Sequence, residues 1–455
     1  MKLKKTAIIL FALALSTFAV SAQTKADKAA ARDAATQGDA FFRQQNYTDA
    51  ISKYTEAIAR LPEYPFAYYS RGWSHYNLKQ YDDALKDFTT ALGQGYKPIE
   101  IYTIRWQVYL LKSQPEDALK DIESGKKLDP SNSYFTIAEG QVYQEKGDHK
   151  KAVELFKRAI DSGSRDADVN FYLARAYSNV GEYQNQVDAA RVALGTGTHF
   201  AGDCWYLIGD GYYRLRKYPE AIRAFETALA TRPDFYDAYI SLADSYRNLN
   251  EFAKAIKAAQ AGVRAYPEDA GLYVSLAWYY SLGDQHANAV AAAKRAIELD
   301  AKDSMAYTNL CRAYNDLKQY QQAITTCKKA LELKPGDGET NFYLGRSYQI
   351  LGDNKVSAKY YADAVTGLEK FAAENPNYSD GLYLLGNAYF AVGEKEKAIQ
   401  AYRRCLEIAP RFAKARFNLG VAYKQTGNAD AAQEQYEHLK SIDSGLAAKL
   451  KEAIS

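Results

Sequence analysis

CRAYNDLKQYQQAITTCKKALELKPGDGETNFYLG, running from Cys311 to Gly345, carries the pattern that decides the fold. A small residue opens it, a ring follows three positions later at Tyr314, and an alanine comes twelve later at Ala323. Pro335 then stands shortly before the next small residue, Gly345, 34 positions after the first. The same ruler laid outward finds Gly38, Gly72, Trp106, Gly140 and Ala174, then Gly209, Ala243, Ala277, Cys311 and Gly345, then Gly386 and Gly420. Three residues after these markers come Phe41, His75, Tyr109, Tyr143, Tyr177, Tyr212, Tyr246, Tyr280, Tyr314, Tyr348, Tyr389 and Tyr423. Twelve units are present.

Twelve residues after the marker lies an alanine in ten units, with Gln186 and Ser357 the exceptions, and four later a larger side chain often follows, such as Tyr54, Phe88, Phe156, Phe225, Tyr361 or Tyr402. Each unit offers two amphipathic stretches at helical spacing, parted by turn residues such as Gly147-Asp148, Gly181-Glu182, Gly352-Asp353 and Gly427-Asn428. The small marker and the alanine let two antiparallel helices approach closely. A proline such as Pro62, Pro130, Pro233, Pro267, Pro335 or Pro410 ends the second helix, because it lacks the N–H donor and clashes with the preceding turn. One hairpin cannot bury its apolar face alone, so neighbours must stack. The expectation is an all-α chain.

This pattern resembles the tetratricopeptide repeat, over residues 31–439. The resemblance implies a right-handed α-solenoid of about twelve helix hairpins, with a protein or peptide partner held in its concave groove. Beyond the last unit Leu446, Leu450 and Ile454 recur every four residues, which suits a capping helix within 440–455. Residues 1–22 read as a cleavable secretory signal: Lys2, Lys4 and Lys5, an apolar run to Val20, then Ser21-Ala22 at the cut. The apolar run is shorter than the ~20 residues that a membrane span needs. Residues 23–30 form a polar segment expected to fray. The expectation is a secreted protein, periplasmic or at the cell surface.

The period slips twice. It is 35 between Ala174 and Gly209, where Gly195-Thr196-Gly197-Thr198-His199 forms a loose connection, and 41 between Gly345 and Gly386, where 358–374 reads as one lengthened second helix. Loop drift and a partner contact both account for these slips, and neither parts repeats 1–5 from 6–12 as separate domains.

Without the signal, 58 − 3 = 55 basic residues face 55 acidic ones. A nucleic-acid binder needs an excess of Lys and Arg, so no nucleic-acid partner is expected. The histidines His75, His149, His199, His286 and His438 show no zinc-helix spacing, and neither Cys-x-x-Cys nor a phosphate-binding glycine loop occurs. No metal, no cofactor and no catalytic residues are therefore expected, nor, with about sixteen residues after the last repeat, is a catalytic domain. Cys311 and Cys327 point into one seam. A disulfide needs Cα atoms within ~7 Å whereas helix axes usually lie ~8–10 Å apart, so a bridge and two buried thiols both remain open.

With the small marker as position 8, positions 2, 5, 9 and 12 share a face of the first helix at ~100° per residue. In the tetratricopeptide family this face lines the groove. It carries Phe66, Tyr69, Trp73 and Tyr76, then Arg175, Arg247, Trp278, Arg312 and Arg346. Tyr, Trp and Arg dominate interface hot spots, so these nine are the candidate partner-binding residues, although some of the rings are expected to pack on the next repeat instead. Asn387 and Asn418 match asparagines of the family's carboxylate clamp, but Tyr383 replaces its first lysine, so the clamp is incomplete. A scaffold for proteins of the bacterial cell envelope is the leading expectation. A carbohydrate-binding or polysaccharide-export accessory is the alternative, since exposed rings also stack on sugars.

Overall fold

The computed structural model describes residues 25–455, so the expected signal at 1–22 lies outside the described residues. Among those residues the secondary structure is helical throughout: twelve helix hairpins in sequence and one further helix, Ser444–Ile454. From residue 25 onward the polar segment is helical. Residues 25–43 form one helix, because Ala31, Ala34 and Ala35 are buried along one side and tether it.

Each hairpin follows the ruler. In repeat nine, Asp303 caps the helix Ser304–Asp316 by accepting from the amides of Met305 (2.7 Å) and Ala306 (3.4 Å), which satisfies two orphan donors. The chain turns through Lys318, whose φ is 61°, and returns as Tyr320–Leu333. A left-handed residue recurs in every one of the twelve turns, at Gln45, Lys79, Ser113, Gly147, Gly181, Arg216, Asn250, Asp284, Lys318, Gly352, Gly393 and Gly427. Only five are glycine, the residue that adopts this conformation without steric cost.

The seam is built on the marker and the residue sixteen later. A Cβ placed on Gly72 would sit 2.9 Å from the Phe88 ring, and one on Gly386 would sit 2.4 Å from Tyr402. A ring thus lies flat on bare backbone. In repeat nine the same two positions hold Cys311 and Cys327, and their Cα atoms come to 5.2 Å, close enough for the disulfide that joins them. Helix-axis spacing was the wrong gauge, because the Cα atoms at these two facing positions stand well inside it. Cys204 and Cys405 are buried.

The described chain falls into two compact units that meet in sequence at His199 and Phe200. The sequence offered no ground for this division, yet it falls at the first slip of the ruler, where Gly197 has φ 80°. The second slip is a helix of 21 residues, Asn354–Glu374. Its seven extra residues make about two turns, and they cross the start of Gly338–Ile350 at a glycine contact, where a Cβ on Gly367 would meet the Gly336 carbonyl oxygen at 2.4 Å. At the C-terminus Ala447 and Leu450 pack with Leu439, and Leu450 also lies over Gly420.

Candidate functional site

In the unit ending at His199, the first helix of repeat two, Pro65–Asn77, places Phe66, Tyr69, Trp73 and Tyr76 on one face as expected, but not as an open stripe. All four are half-buried. Trp73 stands edge-on to Phe88 (6.0 Å) and Tyr76 (5.5 Å), while Tyr69 and Phe66 lie 5.3 and 6.5 Å from Tyr96. The rings therefore largely serve one another and the core. Arg175 is exposed, its guanidinium 5.8 Å from the Phe171 ring. Together with Tyr76, Trp106, Gln141 and Gln144 it lines a cleft of ≈ 620 Å³.

In the unit beginning at Phe200, the other four predicted residues come together. The first helices of repeats eight to twelve and the long helix Asn354–Glu374 wall a cavity of ≈ 1140 Å³. Trp278, Arg312 and Arg346 line it directly, as do Phe342, Phe371, Tyr383, Phe390 and Phe417. The extra turns of the long helix contribute Leu368, Lys370, Phe371 and Glu374, next to Gly367, so the lengthening belongs to this site.

The arginines are not open cations. Arg247 stacks on Trp278 (5.0 Å) and pairs with Asp244 (3.1 Å) and with Asp380 (2.8 Å), 133 residues away. Arg312 is only 8% exposed; it pairs with Glu339 at 3.2 Å and donates to the Asn309 amide oxygen. Arg346, more open, reaches Asp316 at 3.3 Å. Burial pushes the Asp380 and Glu339 carboxyls upward, against the pull of Arg247 and Arg312. Burial also works against the charge on Arg247, but Asp380 and Asp244 outweigh it and hold its pKa above the usual value. The outcome is a groove floor whose charges are matched internally and whose walls are aromatic.

Three buried polar atoms of the lining make no hydrogen bond, Ser281 Oγ, Arg312 Nε and Glu339 Oε1, the last held only by its ion pair with Arg312. The asparagines that resemble a clamp are tied up instead: Asn418 donates to Asn387 Oδ1 (2.7 Å), which also accepts from the Tyr402 hydroxyl (2.7 Å). Glu339 and Asp380 went unremarked in the sequence. Both stand at position 2 of their repeats, the register that would have flagged them. Among the described residues no group of three or more His, Cys, Asp or Glu is placed to hold a metal, and no helix is long and apolar enough to cross a membrane.

Family models described as tetratricopeptide repeat match residues 35–96, 137–199 and 206–270, then 270–303, 304–337 and 413–445, and one described as TPR repeat matches 386–427. The chain is built of tetratricopeptide repeats. As a tetratricopeptide-repeat protein it shares 26% identity with the chain in the crystal structure of MamA, over 36% of this chain and 97% of that one, at a TM-score of 0.33. The crystal structure of the APC/C hetero-tetramer Cut9-Hcn1 contains a chain that is 13% identical, over 92% of this chain and 95% of that one, at a TM-score of 0.41. Tetratricopeptide repeats form interaction scaffolds, and among the described residues repeats eight to twelve enclose a cavity of ≈ 1140 Å³.

Proposed function

We propose that the chain is a non-catalytic scaffold of the bacterial cell envelope, holding a segment of a partner protein in the groove of repeats eight to twelve. The observation that supports this most is the aromatic-walled cavity of ≈ 1140 Å³ with its floor charges already paired. Its size lies just above the ~300–1,000 Å³ of small-ligand sites, which suits a short stretch of chain rather than a folded domain. Matched charges leave apolar contact and amide hydrogen bonding as the main sources of affinity. The envelope location rests on the signal-like order of residues 1–22; mass spectrometry of the mature protein should find its N-terminus at Gln23. The groove is tested by crosslinked capture from envelope extracts, followed by affinity measurement on the partner identified. Phe342→Ala and Phe417→Ala should each weaken binding at least tenfold, and binding that survives both changes refutes the site. Glycan arrays should be silent.

A further inference from the structure

Along the second unit, the turns of repeats six, seven and eight carry Arg216, Asn250 and Asp284 at the left-handed position, with φ of 59°, 59° and 56°. Glycine would sit there without strain, as it does in five other repeats. Three consecutive turns instead hold long or polar side chains, and all three reach the same short segment. Arg216 donates to the Ile408 carbonyl (3.2 Å), Asn250 donates to the Arg411 carbonyl (2.8 Å), and Asp284 pairs with Lys414 (3.5 Å). The partners lie 192, 161 and 130 residues on, between repeats eleven and twelve. Just inside this row, the half-buried Arg247–Asp380 ion pair spans the same gap.

We infer that Arg216, Asn250 and Asp284, with the Arg247–Asp380 pair behind them, form a clasp that closes one edge of the second unit's groove. Strain kept at a non-glycine turn points to a use for the side chain, and here the three side chains share a target. The non-glycine turns at Gln45, Lys79, Ser113 and Lys318 show that strain alone is not the signal; the common target is. The two layers differ in character. The Asp284–Lys414 pair is exposed and weak, whereas Arg247 and Asp380 are 12% and 15% exposed and little screened by salt. Asp380 and Lys414 also line the cavity. A guest that contacts them competes with Arg247 and Asp284, so occupancy and clasp are coupled. That coupling rests on the groove being the binding site, while the clasp itself does not.

Distance measurement separates the two. Nitroxides on unnatural side chains at the exposed positions Lys257 and Glu407 of the full-length protein report the gap by pulsed electron paramagnetic resonance, with no partner needed. The unaltered protein should give one narrow distribution of separations, and Asp380→Asn a broader one shifted to longer values. The charge swap Arg247→Asp with Asp380→Arg should restore the narrow form. The triple variant Arg216→Gly, Asn250→Gly and Asp284→Gly is the sharpest arm. Glycine relaxes the turns, so if these residues only fill turns the separation stays put, whereas the clasp requires it to lengthen. An unchanged separation in the triple variant, a broad distribution in the unaltered protein, or a swap that restores nothing overturns the inference.

Discussion

Gly367→Ala adds one methyl group where the long helix crosses the start of repeat ten. The new Cβ would stand 2.4 Å from the Gly336 oxygen, 2.7 Å from the Gly338 nitrogen and 2.8 Å from the Gly338 Cα. All three neighbours are backbone, so no side chain can swing aside and the two segments must part. Overpacking costs about 1–3 kcal/mol, and rigid neighbours put this case near the top of that range. Alanine returns about 1 kcal/mol of helix propensity within Asn354–Glu374. The net loss is about 2 kcal/mol, which for a unit of this size lowers the melting temperature by about 4–8 °C. Calorimetry of the full-length protein reads it, with Gly93→Ala as the control: no atom lies within 4 Å of a Cβ there, so that variant should be neutral or gain up to about 1 kcal/mol. A Gly367→Ala protein that melts at or above the unaltered temperature would refute the crossing.

Three other changes test the packing. Trp73→Ala should destabilise the first unit by about 2 kcal/mol, less than the ~3–5 kcal/mol of a fully buried ring, seen as a lower denaturation midpoint; unchanged stability would return the ring to the list of partner contacts. Replacing both Cys311 and Cys327 by alanine should cost up to about 3 kcal/mol, the loop-entropy value for a crosslink of this span, and a reducing agent should lower the unaltered protein's midpoint while leaving the double variant unmoved. Lys318→Gly, which removes a side chain from a left-handed turn, should raise stability by about 1 kcal/mol, and a fall would mean that the lysine does more than occupy the turn.

The hairpins were legible because a 34-residue period leaves its trace in every unit, and the lengthened helix showed as a displaced marker. The turns were half legible. Glycine announces a left-handed residue at Gly147 or Gly427, whereas Lys79 or Asn250 in the same conformation gives no sign of it. In the groove, register alone brought Arg247, Trp278, Arg312 and Arg346 to one face, but it could not supply their partners. Asp380 reaches Arg247 across 133 residues, a contact fixed by how the repeats of this unit coil rather than by any one repeat. How far the aromatic stripe of repeat two is covered was hidden for a related reason. Tyr96, outside the helical ruler in the loop before Pro98, closes over Tyr69 and Phe66. The disulfide needed the distance between two seam positions, which spacing in sequence does not give.

The proposed function requires that the groove of repeats eight to twelve, and not the outer face of their second helices, meets the partner. Site-specific photocrosslinking in the producing cells tests it directly, with benzoylphenylalanine placed in turn at Phe342 and Phe417 on the cavity wall and at the exposed Lys329 and Arg403 on second helices. The groove positions should yield one discrete crosslinked protein, the same for both, and the outer positions none. The same protein captured at Lys329 or Arg403 and absent from Phe342 and Phe417 would contradict the claim.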